Sequence, residues 1–76
     1  MPKLNSLKPK QVIQALLRFG FYIYHQSGSH IQLRHRIKFH LRITVPYHKQ
    51  FDIPIAVVNS IIKQCELSRD EFLKIL

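Results

Sequence analysis

Alternation of apolar and polar residues is the feature that most constrains the fold of this chain. It runs through residues 21–26 and again through residues 31–35, on either side of a Ser-Gly-Ser-His segment at 27–30. A period of two is typical of strands with one buried face. Gly28 tolerates positive φ, so the segment predicts a tight turn between two antiparallel strands. His30 then becomes the first side chain of the second strand.

The same alternation predicts a third strand and sorts the strand side chains onto two faces. The core face is predicted to carry Phe21, Ile23, Ile31, Leu33, Phe39, Leu41, Ile43 and Val45. The solvent face is predicted to carry Tyr22, Tyr24, His30, Gln32, Arg34, His40, Arg42 and Thr44. The link at 35–38 contains no Gly, Asn, Asp or Pro, and its charges predict an exposed tip.

Apolar residues at helical spacing flank the strands on both sides. They are Val12, Ile13, Leu16 and Leu17 before the strands, and Ile55, Val58, Ile61, Ile62 and Cys65 after them. The order predicts one two-layer α+β domain over residues 1–76, α-β-β-β-α with a short extra C-terminal helix. Its three-stranded antiparallel sheet is expected to carry the helices on one face.

Capping residues set the expected ends of these helices. Ser6 is the expected N-cap of the first helix, and Gly20 its expected C-terminal stop. Asp52 can cap the second helix, for which Pro54 is a suitable start. The last helix, with Phe72, Leu73 and Leu76, is expected to start at a capping box. That box is formed by Ser68 and Glu71.

Charge is distributed very unevenly along the chain. The formal net charge is +8, and residues 1–50 contain nine Lys or Arg and no Asp or Glu. Such a field attracts polyanions, of which nucleic acid is the expected one, although an acidic protein also fits. No apolar run approaches the roughly 20 residues of a membrane helix, and no secretory leader is predicted. Cys65 has no second cysteine to pair with. We therefore expect a soluble cytoplasmic protein.

The solvent face combines the side chains needed to bind and cleave RNA. Arginine binds phosphate in a bidentate manner, tyrosine stacks on unpaired bases, and histidine moves protons near neutral pH. Cleavage through the ribose 2′-hydroxyl requires neither a metal ion nor another cofactor. His30 is the expected catalytic residue. The expected RNA-binding residues are Tyr22, Tyr24, Arg34, Arg42 and Lys49.

Other readings of the same residues stay open. The tyrosines could merely shield the sheet, and the other histidines are more often surface residues than catalysts. His25, His30, His35 and His40 recur every five residues, a spacing that alternates between faces, so no metal site is predicted. A serine nucleophile beside His30 would have no acid within the first 50 residues to orient the imidazole.

Five segments in order resemble the HicA-type toxin family, the small mRNA interferases of bacterial and archaeal toxin–antitoxin pairs. They are residues 17–21, Gly28-Ser29-His30, Val45-Pro46-Tyr47-His48, residues 59–64 and residues 67–72. The resemblance implies a fold like that of double-stranded-RNA-binding domains and ribonuclease activity on mRNA that depends on His30, with Gly28 and Ser29 as motif residues. It also implies a HicB-like antitoxin that covers the active face.

Two segments depart from the family pattern. The turn between the second and third strands usually contains Pro, Asp or Gly, but here it reads Arg36-Ile37-Lys38. A glycine and an acidic residue usually follow the Pro-x-His segment, where this chain has residues 49–52. Both departures concern loop geometry and leave the histidine motif intact.

The resulting hypothesis is a metal-independent endoribonuclease. His30 accepts the 2′-hydroxyl proton, Arg34 and Arg42 stabilise the phosphate, and His40 or His48 could supply the general acid. A non-catalytic double-stranded-RNA-binding module is the main alternative. Such modules usually carry lysines at the start of the helix after the sheet, whereas residues 54–62 contain no basic residue here. A protein-interaction domain for an acidic partner is the third possibility.

Overall fold

The computed structural model describes residues 6–48 and 51–76. Its elements are α1 (Pro9–Arg18), β1 (Phe21–Ser27), β2 (His30–His35), β3 (Arg42–Pro46), α2 (Ile55–Gln64) and α3 (Arg69–Ile75). The strands form one antiparallel sheet in the order β1-β2-β3. The predicted α+β architecture, with its three-stranded sheet and extra C-terminal helix, is confirmed.

The core lies between the helices and one face of the sheet. Leu33, Ile43 and Val45 of the strands are fully buried against residues such as Leu16 of α1 and Phe72 of α3. Cys65, at the end of α2, is also buried, and this burial raises the pKa of its thiol to about 12. It therefore packs as a small hydrophobic residue, as predicted. No helix in the described part of the chain has the length and apolarity to cross a membrane.

Helix α1 starts later than its predicted cap. Ser6 is not the N-cap, because Leu7 is held in an extended bridge with Ile53 by two backbone hydrogen bonds of 3.2 and 2.7 Å. Lys8 is the N-cap, and Pro9 is the first helical residue. Proline also disfavours helical geometry in the residue before it, which fixes this boundary. The contact with Ile53 therefore overrides the local capping signal of Ser6.

The same bridge changes the start of α2. Because Ile53 is extended, the helix begins only after Pro54, and Asp52 is exposed and does not cap it. The capping box of α3 is confirmed, since the Ser68 hydroxyl and the Glu71 carboxylate each accept a backbone N–H at 3.1 Å. These hydrogen bonds with Ser68 lower the pKa of Glu71. The negative charge then lies at the helix N-terminus, where the helix dipole favours it.

The β2–β3 loop is longer than predicted. Strand β3 begins at Arg42, so Phe39 and His40 lie in a turn rather than on the strand. Phe39 was predicted to be in the core but is 75% exposed, and Ile37 is 79% exposed. The exposed tip is confirmed for residues 36–38. His35 is the exception, because only 6% of it is exposed.

His35 fastens this loop to the end of α1. Its Nδ1 accepts backbone N–H groups from Ile37 and Lys38 at 3.1 and 3.0 Å. The ring proton therefore lies on Nε2, which donates to the Phe19 carbonyl at 2.9 Å. The rings of Phe19 and Phe21 meet the imidazole edge-on, at centroid distances of 5.5 and 4.9 Å. His35 is thus a structural residue, and its location does not match the surface position expected from the sequence.

Gly20→Ala should destabilise the fold far more than Gly28→Ala, although both glycines have positive φ (+105° and +56°). A Cβ at Gly20 would lie 2.8 Å from Nε2 of His35, which its hydrogen bonds hold in place, whereas a Cβ at Gly28 meets nothing within 4 Å. We expect losses in the free energy of unfolding of about 3 kcal/mol and about 1 kcal/mol respectively. Urea denaturation of the two variants tests this, and equal losses would contradict the steric role of His35.

Candidate functional site

The strand register defines a solvent-facing surface row by row, because directly opposed residues on neighbouring strands share a face. Tyr22 lies opposite Arg34, and Arg34 lies opposite Arg42. At the other end of the sheet, His30 lies between Ser27 and Pro46. We call this surface the open face. It consists of Tyr22, Tyr24, His25, Ser27, His30, Gln32, Arg34, Arg42, Thr44 and Pro46.

A β-bulge in β1 brings an additional residue to the open face. Ile23 pairs with Leu33, but the next paired residue is His25, opposite Gln32, so Tyr24 is inserted between them. The Tyr24 ring lies on the open face, with the guanidinium carbon of Arg34 3.6 Å from its centroid. After the bulge the alternation is shifted by one residue, and His25 shares the face of its exposed partner Gln32.

Residues on the other side of β1 confirm this shift. Gln26 lies opposite buried Ile31 and lines a cleft with Lys10 and Gln14 of α1, so it faces the helices. Its neighbour His25 must then face away from them. Ile23, which was predicted to be in the core, faces the same cleft but is 47% exposed because β1 is an edge strand. The expectation that the histidines alternate between faces is thus wrong for His25 and His30.

One end of the open face is a cluster of arginines and tyrosines. Arg34 stacks on Tyr24, and Arg36 lies over Tyr22 with its guanidinium carbon 5.4 Å from the ring centroid. Arg34 and Arg42 are directly opposed, although like charges in such a pair destabilise a sheet. They border a shallow hollow that Gln32 and Thr44 complete. Converging cations and hydrogen-bonding groups suit a phosphate.

Arg36 was predicted only as part of the exposed tip, and its cation–π contact with Tyr22 was missed. The Arg36 backbone N–H donates to the Gly20 carbonyl, with 3.0 Å between nitrogen and oxygen, and this holds Arg36 beside the start of β1, where it lies over Tyr22. The sequence signal was the i, i+2 spacing of Arg34 and Arg36, which places both near one face if the strand continues. The predicted end of the strand concealed this signal.

His30 lies at the opposite end of the open face. Its side chain is exposed, and the turn before it places Gly28 at φ +56°. The Ser29 carbonyl accepts the N–H of Tyr47, which holds the segment after β3 beside this turn. His48 follows directly and is exposed, with its ring 6.4 Å from that of Phe51. His48 therefore remains at the His30 end of the sheet.

His40 lies at the end of the sheet opposite His30, which is too far away for it to act as the general acid. Its Nε2 is 3.0 Å from a carboxylate oxygen of Glu66, between α2 and α3. His40 reaches Glu66 because it lies in the β2–β3 loop and not on β3, where it was predicted. Both side chains are more than half exposed, so this contact contributes little to stability.

The two ends of the open face are separated along β2. His30 and Arg34 are four residues apart, which corresponds to about 13 Å along a strand. This exceeds the reach of an arginine side chain, so the structure does not place Arg34 and Arg42 beside His30, where the sequence hypothesis needs them to stabilise the reacting phosphate. Lys49, the other expected RNA-binding residue, lies outside the described residues.

No metal-binding cluster occurs in the part of the chain that the structure describes. There, no three His, Cys, Asp or Glu side chains are grouped so that they could hold a metal ion. The exposed His25 and His30 are two nitrogen donors without a carboxylate or thiolate beside them on the open face. The chemistry of the open face therefore consists of imidazole, guanidinium, phenol, hydroxyl and amide groups.

Residues 9–67 match the family model described as the HicA toxin of bacterial toxin–antitoxin. The chain belongs to the HicA toxin family. The match runs from the first residue of α1 to beyond α2 and includes the whole sheet, with His30 and both arginines. Membership in a family of toxin–antitoxin toxins implies an antitoxin partner. No curated protein matches the chain.

Because Arg34 and Arg42 are directly opposed, replacing one of them should affect the stability of this HicA-family chain and its binding to RNA in opposite directions. Arg42→Gln removes one of two like charges, so we expect the free energy of unfolding to stay equal or rise by about 0.2–1 kcal/mol. Binding to single-stranded RNA should weaken, with the slope of log K against log salt smaller by about one.

Arg69→Gln is the matched control, because Arg69 is exposed on α3 outside the open face. Urea denaturation and RNA titrations at several salt concentrations measure both quantities. Equal losses of affinity in the two variants would show that net charge alone matters.

Proposed function

We propose that this HicA-family protein is an endoribonuclease that cleaves mRNA without a metal ion, with His30 as the general base. The observation that carries the proposal is the position of His30. It is an exposed imidazole at the start of the central strand, held between β1 and β3 and on the same face as the arginine cluster. The Gly28-Ser29-His30 motif of the family supports the same assignment, with Gly28 forming the turn.

The chemistry needs one proton transfer to start. Neutral His30 takes the proton of a ribose 2′-hydroxyl, and the resulting oxygen attacks the adjacent phosphorus atom. The bond to the 5′-oxygen of the next nucleotide breaks, which leaves a 2′,3′-cyclic phosphate and a 5′-hydroxyl. Imidazole suits this role because it exchanges protons near neutral pH.

The cluster of arginines and tyrosines would bind the RNA at positions distant from the reacting phosphate. The guanidinium carbons of Arg34 and Arg36 lie over tyrosine rings, 3.6 and 5.4 Å from the ring centroids. A guanidinium held in this way can still donate hydrogen bonds to phosphate oxygens. Tyr24 is 52% exposed and can also contact a base. Binding energy gained at such remote contacts positions the scissile bond at His30.

The antitoxin partner is proposed to be a HicB-like protein that covers the open face. The described residues of that face include two arginines and two histidines but no carboxylate. A partner with an acidic surface would therefore be complementary to it. Covering the face would block RNA from both His30 and the arginine cluster.

A non-catalytic duplex-RNA-binding module is less consistent with the structure. Its expected second contact, a group of lysines at the start of the helix after the sheet, is missing. Ile55 and Ala56 occupy the exposed first turn of α2, and the first basic residue of this helix is Lys63.

His30→Ala should reduce cleavage of a mixed single-stranded RNA by at least about 100-fold, since general acid–base groups contribute about 10²–10⁴ in rate. The assay contains EDTA, and the ends of the products are analysed for cyclic phosphate. RNA whose attacking 2′-hydroxyl is replaced by hydrogen should not be cleaved.

His40→Ala is the control, because His40 is an exposed histidine at the opposite end of the sheet. It should cleave at the rate of the unmodified protein. If His30→Ala is folded, binds RNA and cleaves equally fast, His30 is not the base. Tight binding of duplex RNA without cleavage by the unmodified protein would favour the binding-module alternative.

A further inference from the structure

The proposed cleavage also needs an acid to protonate the departing 5′-oxygen, and the β-bulge places a second imidazole close to the first. His25 lies opposite Gln32, and His30 precedes Gln32 by two residues on the same face. His25 and His30 are therefore diagonal neighbours, a relation that places residues about 7–8 Å apart across a sheet. The bulge is what creates this pair, since regular alternation would turn His25 toward the helices.

The surroundings of the pair are polar and open. Ser27 lies directly opposite His30, and Gln32 lies opposite His25, so hydroxyl and amide groups complete the patch. Both imidazoles are exposed to solvent. Residues 1–50 contain no carboxylate, and none of the described residues of the open face could neutralise an imidazolium. Two such rings at diagonal spacing leave room for one phosphate group between them.

We propose that His25 is the general acid of this ribonuclease, an inference that rests on the proposed function. His30 removes the 2′-hydroxyl proton as the new bond from the 2′-oxygen to phosphorus forms. The imidazolium of His25 gives its proton to the 5′-oxygen as the bond from phosphorus to that oxygen breaks. One proton is taken and one is returned, so cleavage ends with His30 protonated and His25 neutral, and exchange with water restores the starting state.

A change of leaving group tests this role directly. The substrates are DNA oligonucleotides with a single ribonucleotide, prepared with each of the four bases. In one series the 5′-oxygen at the cleavage site is replaced by sulfur, because a thiolate departs without being protonated. His25→Ala should cleave the oxygen substrate at least about 100-fold more slowly than the unmodified protein. On the sulfur substrate the two rates should agree within a few-fold, while His30→Ala should be slow on both.

Two further variants make the result specific. His25→Gln, which keeps a polar side chain of similar size on the edge strand, should show the same pattern and guards against a loss caused by misfolding. His48→Ala tests the other exposed histidine at this end of the sheet, and it should not show selective recovery on the sulfur substrate.

Each of the other outcomes overturns a stated part of the proposal. Equal losses of His25→Ala on both substrates would make His25 a binding or structural residue. Selective recovery in His48→Ala instead would assign the acid to His48. If the unmodified protein cleaves neither substrate nor any mixed RNA, the proposed ribonuclease function itself fails, and the role of His25 fails with it.

Discussion

The two hydrogen-bonded ladders of β2 position the side chains of the open face. As the central strand, β2 aligns β1 on one edge and β3 on the other, so its register decides which residues share the open face. His35 ends the strand and fixes that register at one side. It holds the β2–β3 loop through two backbone N–H groups and the end of α1 through the Phe19 carbonyl. Gly20 is needed there because no side chain fits beside the imidazole.

The sequence predicts those parts of the fold that depend on neighbours within a few residues. The alternation within β2 and over residues 42–45 of β3, the Gly28 turn and the capping box of Ser68 are local patterns, and all three are present in the structure. Contacts between residues far apart in the sequence account for the features that were predicted wrongly. The Leu7–Ile53 bridge displaces the starts of α1 and α2, and hydrogen bonds across the molecule bury His35. Such partners are known only once the chain is folded.

In the candidate site, too, the features set by local sequence were predictable and those set by strand pairing were not. Which residue types lie on the open face was largely predictable, because alternation identifies one wet face of a sheet. Their arrangement on that face was not. The bulge at Tyr24 has no local sequence signature, since it arises from how β1 pairs with β2. It changes the side to which His25 points, and the length of β2 separates His30 from the arginines. The residue types on the open face therefore follow from the strand alternation, whereas their arrangement follows from how the strands pair and how long they are.

The bulge has a second consequence, which concerns the outer edge of the sheet. Among the strands that the structure describes, β1 pairs only with β2, so its other edge presents backbone groups that could pair with a further strand. An extra residue in the middle of the strand bends it and interrupts the regular spacing of those groups. A second chain that approaches this edge finds no continuous row of partners. The insertion at Tyr24 thus works against the pairing of a further strand with the β1 edge of this sheet.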